Sequence, residues 1–361
     1  FDFIVLTSSI VCHETEIDTI KKLKKFNKIV FAIGPFATSN PDSYIQAGAK
    51  VVKGEPEMFF HKFKKSNEEI KQLPNLIDNV NNIDINDLAI PAWDIIFKNY
   101  TPRFKFLGKE PAVNINASRG CPYSCFYYCV YPLQQGRKLR LKNPDKLLNE
   151  IKYLKSSLGV NNFIFRDPVF SIDRKHTIEI CKKIIEANLN IKICIETHLK
   201  NIDDEMADYF KKAGVKLIYV GIESAVDEVR KDSNRQSEAN DKQIQKINYL
   251  EKIGIKVKAM YIIGLPTDNK KTFAETLNYA KKINSSYAQF SVFTPYPGTP
   301  VFSEYKDKIN VKSYEEFTQW QLVFDHLNFS KDEIDDILSS AYQKYYLNPK
   351  WLLKHFKSKF L

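Results

Sequence analysis

Apolar residues in this chain follow two alternating patterns. The runs Phe3–Leu6, Lys28–Ile33 and Ala49–Val52 are short and largely apolar, the signature of strands buried on both faces. Between and after them, His13–Lys25, Pro41–Ala47 and Glu57–Lys65 place apolar side chains at helical spacing. Residues 1–70 therefore predict half of a doubly wound parallel sheet, a partial Rossmann-like domain. Three strands alone leave an unpaired edge and little core, so the sequence is expected to be a fragment of a longer protein. Residues 71–110 predict a connector, punctuated by Asn75 and Asn79 and by packed turns at Pro91–Trp93 and Tyr100–Pro102.

From 111 to 305 the alternation becomes regular. Strands are predicted at Ala112–Asn116, Asn162–Phe165, Ile191–Ile195, Lys216–Gly221, Val257–Ile263 and Ala288–Phe293. Helices are predicted at Asp145–Leu158, Arg174–Ala187, Asp203–Ala213, Asn240–Ile253 and Lys271–Ile283. Six such units make an α/β fold, an incomplete (β/α)6 TIM-like barrel, with its chemistry at the carboxyl ends of the strands. Residues 306–361 form a helical C-terminal region with a capping box at Ser330 and Glu333. Its aromatic stripe, including Tyr342, Tyr345, Tyr346 and Trp351, is expected to pack as a lid against the barrel.

Composition changes this picture little. The 361 residues carry 54 Lys and Arg against 43 Asp and Glu, a net charge of +11. Lysines spread over helical faces, as in Lys21–Lys25, read as a solvated surface rather than a nucleic-acid site. No apolar run reaches the eighteen or so residues of a membrane span, and the N-terminus does not read as a signal peptide. Six cysteines at this spacing suggest a reducing cytoplasm.

The candidate chemistry lies in one loop. Cys121, Cys125 and Cys129 fall within nine residues, directly after the first barrel strand. Three thiolates on one loop can hold three irons of a 4Fe–4S cluster and leave the fourth open; zinc would call for a further Cys or His pair, which does not follow. Buried thiols with no ligand role are a poor alternative beside Gly120 and Pro122.

This loop resembles the signature of radical S-adenosylmethionine (SAM) enzymes, Cys-x3-Cys-x2-Cys with an aromatic before the last cysteine. Cys121-Pro-Tyr-Ser-Cys125 fits it, and Tyr128 supplies the aromatic. Phe126-Tyr-Tyr128 puts three residues where the family has two, which puts cluster geometry in question. The resemblance implies a 4Fe–4S cluster on Cys121, Cys125 and Cys129, and SAM contacts from Tyr128 (stacking on adenine), Glu196, Glu223, Ser224 and Gly264. Glu223 and Ser224 belong to a Gly221-Ile-Glu-Ser224 element, and Gly264-Leu-Pro266 lets the backbone approach adenine. Asp167 is a further candidate for SAM's amino group or the substrate. His198 stands where relatives often carry Arg.

The N-terminal strand ends resemble the cobalamin-binding domain that precedes many radical SAM domains: Gly34-Pro-x-Ala-Thr38 followed by Gly54-Glu-x-Glu57. Thr7, Ser8, Gly34, Gly54 and Glu55 are the implied cobalamin contacts, and His13 is a weaker candidate, since a lone His at a helix start is more often a cap or a surface residue. The basic segment Arg137, Lys138 and Arg140 follows the cluster loop and suits carboxylates or phosphates. The resemblance implies reductive SAM cleavage to a 5′-deoxyadenosyl radical and cobalamin-dependent C-methylation of a small-molecule substrate. It also implies a one-electron reductant such as flavodoxin or ferredoxin. A radical cyclase or rearrangement enzyme shares the scaffold. A non-catalytic Fe–S or corrinoid-binding protein is the rival of another class, though a carrier needs no SAM pocket.

Overall fold

The computed structural model describes residues 3–61, 66–79, 84–99, 108 and 110–357. The expected turn at Tyr100–Pro102 and the last residues of the helix expected to reach Lys65 lie outside them. Contacts divide the chain into two compact units. One comprises residues 1–84, 120–138 and 292–331; the other comprises 85–119, 139–291 and 332–361.

The first unit is built on four parallel strands, β1 (Phe3–Thr7), β2 (Ile29–Ile33), β3 (Lys50–Gly54) and β4 (Leu76–Asn79), in that spatial order. β4 is a correction: it falls inside the expected connector and completes a four-stranded sheet. It is only four residues long, ends Asp78-Asn79 and leaves Leu76 exposed, so neither length nor burial marked it. The sheet buries both faces. Val30, Ala32 and Val51 pack with Ile20, Phe36 and Tyr44 on one side, and Phe31 and Val52 pack with Ile70 on the other. That is the period-two alternation of a doubly wound sheet. The segments 120–138 and 292–331 join this unit although they are distant in sequence.

The second unit holds the barrel. Its strands are β5 (Ala112–Ile115), the two-residue antiparallel pair β6 (Ser118–Arg119) and β7 (Arg140–Leu141), then β8 (Asn162–Phe165), β9 (Lys192–Thr197), β10 (Val215–Glu223), β11 (Lys256–Ile263) and β12 (Tyr287–Val292). The main sheet has the order β12-β11-β10-β9-β8-β5, six strands in chain succession. Phe163, Ile195, Val220, Val257 and Ala259 are buried on its helix-covered face. The helices start where their caps allow. Asn143, Asp173, Asp203 and Asn269 each accept hydrogen bonds from the first turn that follows.

An incomplete barrel leaves an open edge at β12. The C-terminal helix Lys331–Tyr346 satisfies it with side chains. Tyr342 Oη accepts from the Phe290 N–H (3.1 Å) and donates to its carbonyl (3.0 Å); Tyr346 does the same at Ala288 (3.0 and 2.8 Å). Tyr345 donates to the Ser285 carbonyl (2.7 Å), and Trp351 Nε1 to the Ser286 carbonyl (3.2 Å). The aromatic stripe thus does the work of a missing neighbour strand.

Candidate functional site

In the first unit, the cysteine loop is a single wound turn. The Cys125 carbonyl accepts from both the Tyr128 N–H (3.2 Å) and the Cys129 N–H (3.0 Å). Cys125 and Cys129 are therefore i and i+4 on one turn, and such positions share a face. The extra residue of the Cys125–Cys129 spacing lies within that turn. Tyr127 is held outward by a hydrogen bond from its hydroxyl to Glu304 Oε2 (2.6 Å). Cys121 is anchored separately, its N–H donating to the Gly136 carbonyl (3.2 Å). No disulfide joins any of the six cysteines. Among the described residues, no three Cys, His, Asp or Glu side chains converge on one ion-sized point. Three thiols that serve three different irons need not do so.

The basic residues after the loop are used partly by the loop itself. Arg137 donates to the Pro122 carbonyl (2.7 Å) and lies 5.8 Å from the Phe126 ring centroid. Tyr128 packs edge-on against Phe293 at 6.2 Å.

Beyond the carboxyl ends of β1 and β2 opens a cleft of about 290 Å3, lined by Ser8, Phe36, Val130, Leu133, Tyr296 and Gln319, among others. Its walls come from the sheet, from the residues just after Cys129 and from the 292–331 segment. Gly298 closes tightly here: a Cβ on it would lie 2.7 Å from Ser39 Cβ, and its φ of +88° suits glycine. Of the expected cobalamin contacts, Ser8 lines the cleft, and its hydroxyl accepts from the Ala37 N–H (2.8 Å). Gly34 turns directly behind it, with φ +101° and Ser8 Oγ 3.0 Å from where a Cβ would stand. Gly54 donates its N–H to Thr38 Oγ1 (3.0 Å), and Glu55 is buried. Thr7, Gly54 and Glu55 are at strand ends but not among the cleft-lining residues. His13 does not line it either; its ring packs against Phe36, Tyr44 and Tyr314, and burial lowers its pKa.

In the second unit, the strand ends carry the other candidates. Asp167 is a correction to the ligand-facing expectation. It is wholly buried, and its carboxylate accepts from the Ala117 N–H (3.1 Å to each oxygen) and from Ser118 Oγ (2.6 Å). Burial pushes its pKa up to about 6, with the Ser118 and Ala117 bonds pulling the other way. It buckles down the segment from which the chain enters the cysteine loop.

Glu223 closes β10 at a bulge, with φ +64°, a conformation rare for a residue with a Cβ. Arg235 stabilises that turn. Its Nη2 donates to the Gly221 carbonyl (2.8 Å) and lies 3.4 Å from Glu223 Oε1, with both side chains 11 % exposed. Sequence reading passed over Arg235, because twelve residues and a helix separate it from Glu223. A left-handed backbone at a Glu is a local strain that the Arg235 contacts hold in place. Ser224 turns inward instead: it is 1 % exposed, its hydroxyl lies 3.1 Å from Thr276 Oγ1, and it accepts from the Val226 N–H (3.2 Å). It positions the Glu223 turn rather than reaching outward.

His198 follows β9. Its Nε2 faces the Gln236 carbonyl (2.7 Å), and its Nδ1 accepts from the Lys200 N–H (3.2 Å). Those partners select the neutral ring, and burial with the nearby Arg235 charge lowers its pKa to about 4. Gly264 follows β11 with φ +76°, and its N–H donates to buried Asp268 (3.0 Å). Glu196 lies half-buried in β9, directly across from Tyr219 of β10.

Comparison with known proteins places this arrangement. Residues 115–280 match the Radical SAM superfamily. An uncharacterized methyltransferase of Pyrococcus horikoshii is 27% identical, over 93% of this chain and 77% of its own. The anaerobic magnesium-protoporphyrin IX monomethyl ester cyclase of Cereibacter sphaeroides is 29% identical, over 72% of this chain but only 42% of its own length. The solved radical SAM methyltransferase TsrM of Kitasatospora setae, with tryptophan and a SAM analogue bound, superposes with a TM-score of 0.69. It does so at 14% identity over 86% of this chain and 66% of that one, a likeness of fold. Among the described residues no helix is long and apolar enough to cross a membrane. Residues 115–280 are therefore a radical SAM domain, a domain whose cofactors are a 4Fe–4S cluster and SAM.

Proposed function

We propose that this chain is a cobalamin-dependent radical SAM C-methyltransferase acting on an unactivated carbon of a small organic substrate. The observation that carries the reading is the cleft of the first unit, whose walls combine the ends of β1 and β2 with Val130 and Leu133, the residues that leave the cysteine loop. A corrin held there would lie beside the cluster loop, as methyl transfer to a substrate radical needs. The walls are largely apolar, with Phe36, Val130, Leu133 and Pro297 among them.

Cys121, Cys125 and Cys129 would hold the cluster, and Ser8, backed by Gly34, would face the corrin. When bound, the cluster supplies the electron that splits SAM into methionine and a 5′-deoxyadenosyl radical, and cobalamin carries the methyl group. The protein's part is placement. Glu223, fixed in its strained turn by Arg235, and Glu196 offer carboxylates to the cationic groups of SAM, where two opposite charges a few ångströms apart attract strongly. Gly264, without a Cβ, offers its backbone to adenine. A cytoplasmic one-electron donor of the flavodoxin or ferredoxin kind completes the scheme.

The test is anaerobic reconstitution, reduction, addition of SAM and assay of 5′-deoxyadenosine, with Cys125→Ala as control. Cleavage dependent on Cys125 supports the reading, and full iron and sulfide incorporation without cleavage defeats it. The cyclase relative keeps one other reaction in view. Labelled methyl from SAM in the product separates the two, since a cyclase leaves none there.

A further inference from the structure

The interior of the barrel is layered. In the lower layer, Cys194 and Leu217 are 1 % exposed and pack with Ile164, Tyr219 and Tyr287. This is the aliphatic filling expected inside a barrel. The next layer departs from it. Strand register sets Glu196 of β9 beside Tyr219 of β10, and Tyr219 beside Lys258 of β11. The β8–β9 register pairs Ile164 with Cys194, and Arg166, which directly follows β8, lies close enough for its charge to act on both Cys194 and Tyr219. Four neighbouring strands thus present a row of cation, anion, aromatic and cation. Arg166 is exposed and the other three are half-buried. Lys258 Nζ lies 4.9 Å from the Tyr219 ring centroid.

Such a row is costly as filling. Branched aliphatic residues would pack the layer without desolvating charge. Burial lowers the pKa of Lys258, with Cys194 and Glu196 pulling it back. Two cations against one carboxylate leave the layer net positive, and a guanidinium fork with a planar ring beside it suits a flat anion.

We infer that the Arg166–Glu196–Tyr219–Lys258 layer binds a carboxylate of the organic substrate, with Lys258 and Arg166 pairing the carboxylate and the Tyr219 ring lying against the adjoining carbon skeleton. This assigns a substrate class, organic acids, to the proposed reaction and rests on the barrel interior being its chamber. Glu196, beside Tyr219, is the one carboxylate of the layer.

The test needs no turnover. Calorimetric titration of the anaerobically reconstituted protein, saturated with S-adenosylhomocysteine, compares 2-naphthoate with uncharged 2-naphthamide. Naphthoate is expected to bind about tenfold more tightly, and Lys258→Met to abolish that preference. Equal binding of the two probes, or a preference that survives Lys258→Met, overturns the inference. S-adenosylhomocysteine affinity reports whether the variant is folded. Should it not fold, Arg166→Gln at the exposed end takes its place: loss of the preference supports the inference and retention overturns it. If SAM cleavage fails while the preference persists, the proposed reaction falls and this layer stands.

Discussion

The Ser118 hydroxyl donates to Asp167 across 2.6 Å, and the carboxylate that receives it is wholly buried. Fifty residues apart, Ala117 and Asp167 are tied by two further contacts of 3.1 Å. The buckle costs charge burial, and its pKa of about 6 records that. A carboxyl whose folded pKa exceeds its unfolded 3.8 contributes stability that is complete below 3.8 and is lost as pH rises through about 6. Relative to Asp167→Asn, the wild type should therefore lose stability between pH 4 and 6 and level off above. Urea midpoints measured across that window check it; a flat difference refutes the buried-charge account. Asp167→Ala should cost about 1–3 kcal/mol for each orphaned donor and lower iron incorporation.

The extra residue of the cysteine loop makes a sharper test. If the i to i+4 turn at Cys125–Cys129 is the working geometry, deleting Tyr127 should reduce cluster incorporation, although it restores the family's spacing. Tyr127→Phe should lose only the bond to Glu304 and keep its iron. Iron and sulfide analysis after reconstitution reads both, and improved loading in the deletion would sink the idea.

Glu223 combines two features that mutation can separate. Its φ of +64° favours glycine, and its carboxylate faces Arg235. Glu223→Gly should fold at least as well as Glu223→Ala, because Ala keeps the Cβ strain, a difference of about 1 kcal/mol. Both should weaken SAM binding, as should Glu223→Gln. SAM affinity unchanged in Glu223→Gln would remove the carboxylate from the site.

For His198 the sign runs the other way. Its pKa is lowered from 6.5 to about 4, so its contribution to stability is present above pH 6.5 and is lost as pH falls through 4. The ring protons should show no titration in NMR spectra between pH 8 and 5. A midpoint near 6.5 would mean that the bonds to Gln236 and Lys200 do not hold in solution.

The tyrosines at the barrel edge can be tested by removing one oxygen. Tyr342→Phe deprives both backbone groups of buried Phe290 of their partner and should cost about 1–3 kcal/mol by chemical denaturation. Pairing it with Tyr346→Phe should expose β12 and promote self-association, visible by light scattering. A double variant as stable and monodisperse as the parent would show that the hydroxyls do not guard the edge.

Much of this protein is determined locally, and that part was legible in its residues. The helix His13–Lys25 and the strand Asn162–Phe165 occur where periodicity puts them, because that signal acts within one or two turns of chain. The cluster loop was legible for the same reason: Cys121, Cys125 and Cys129 are sequence neighbours, and thiol chemistry needs little context. Tertiary structure alone decided the rest. β4 exists because β3 offers a parallel edge, and its own four residues carry almost no signal. Asp167, Ser224 and Glu223 are polar residues at similar strand ends. Which of them turns inward depends on Ser118, Thr276 and Arg235, partners that lie 12 to 52 residues away in sequence. The charged row from Arg166 to Lys258 exists only once four strands lie in register. Periodicity shows which way a side chain points, and only the folded chain supplies what stands opposite it.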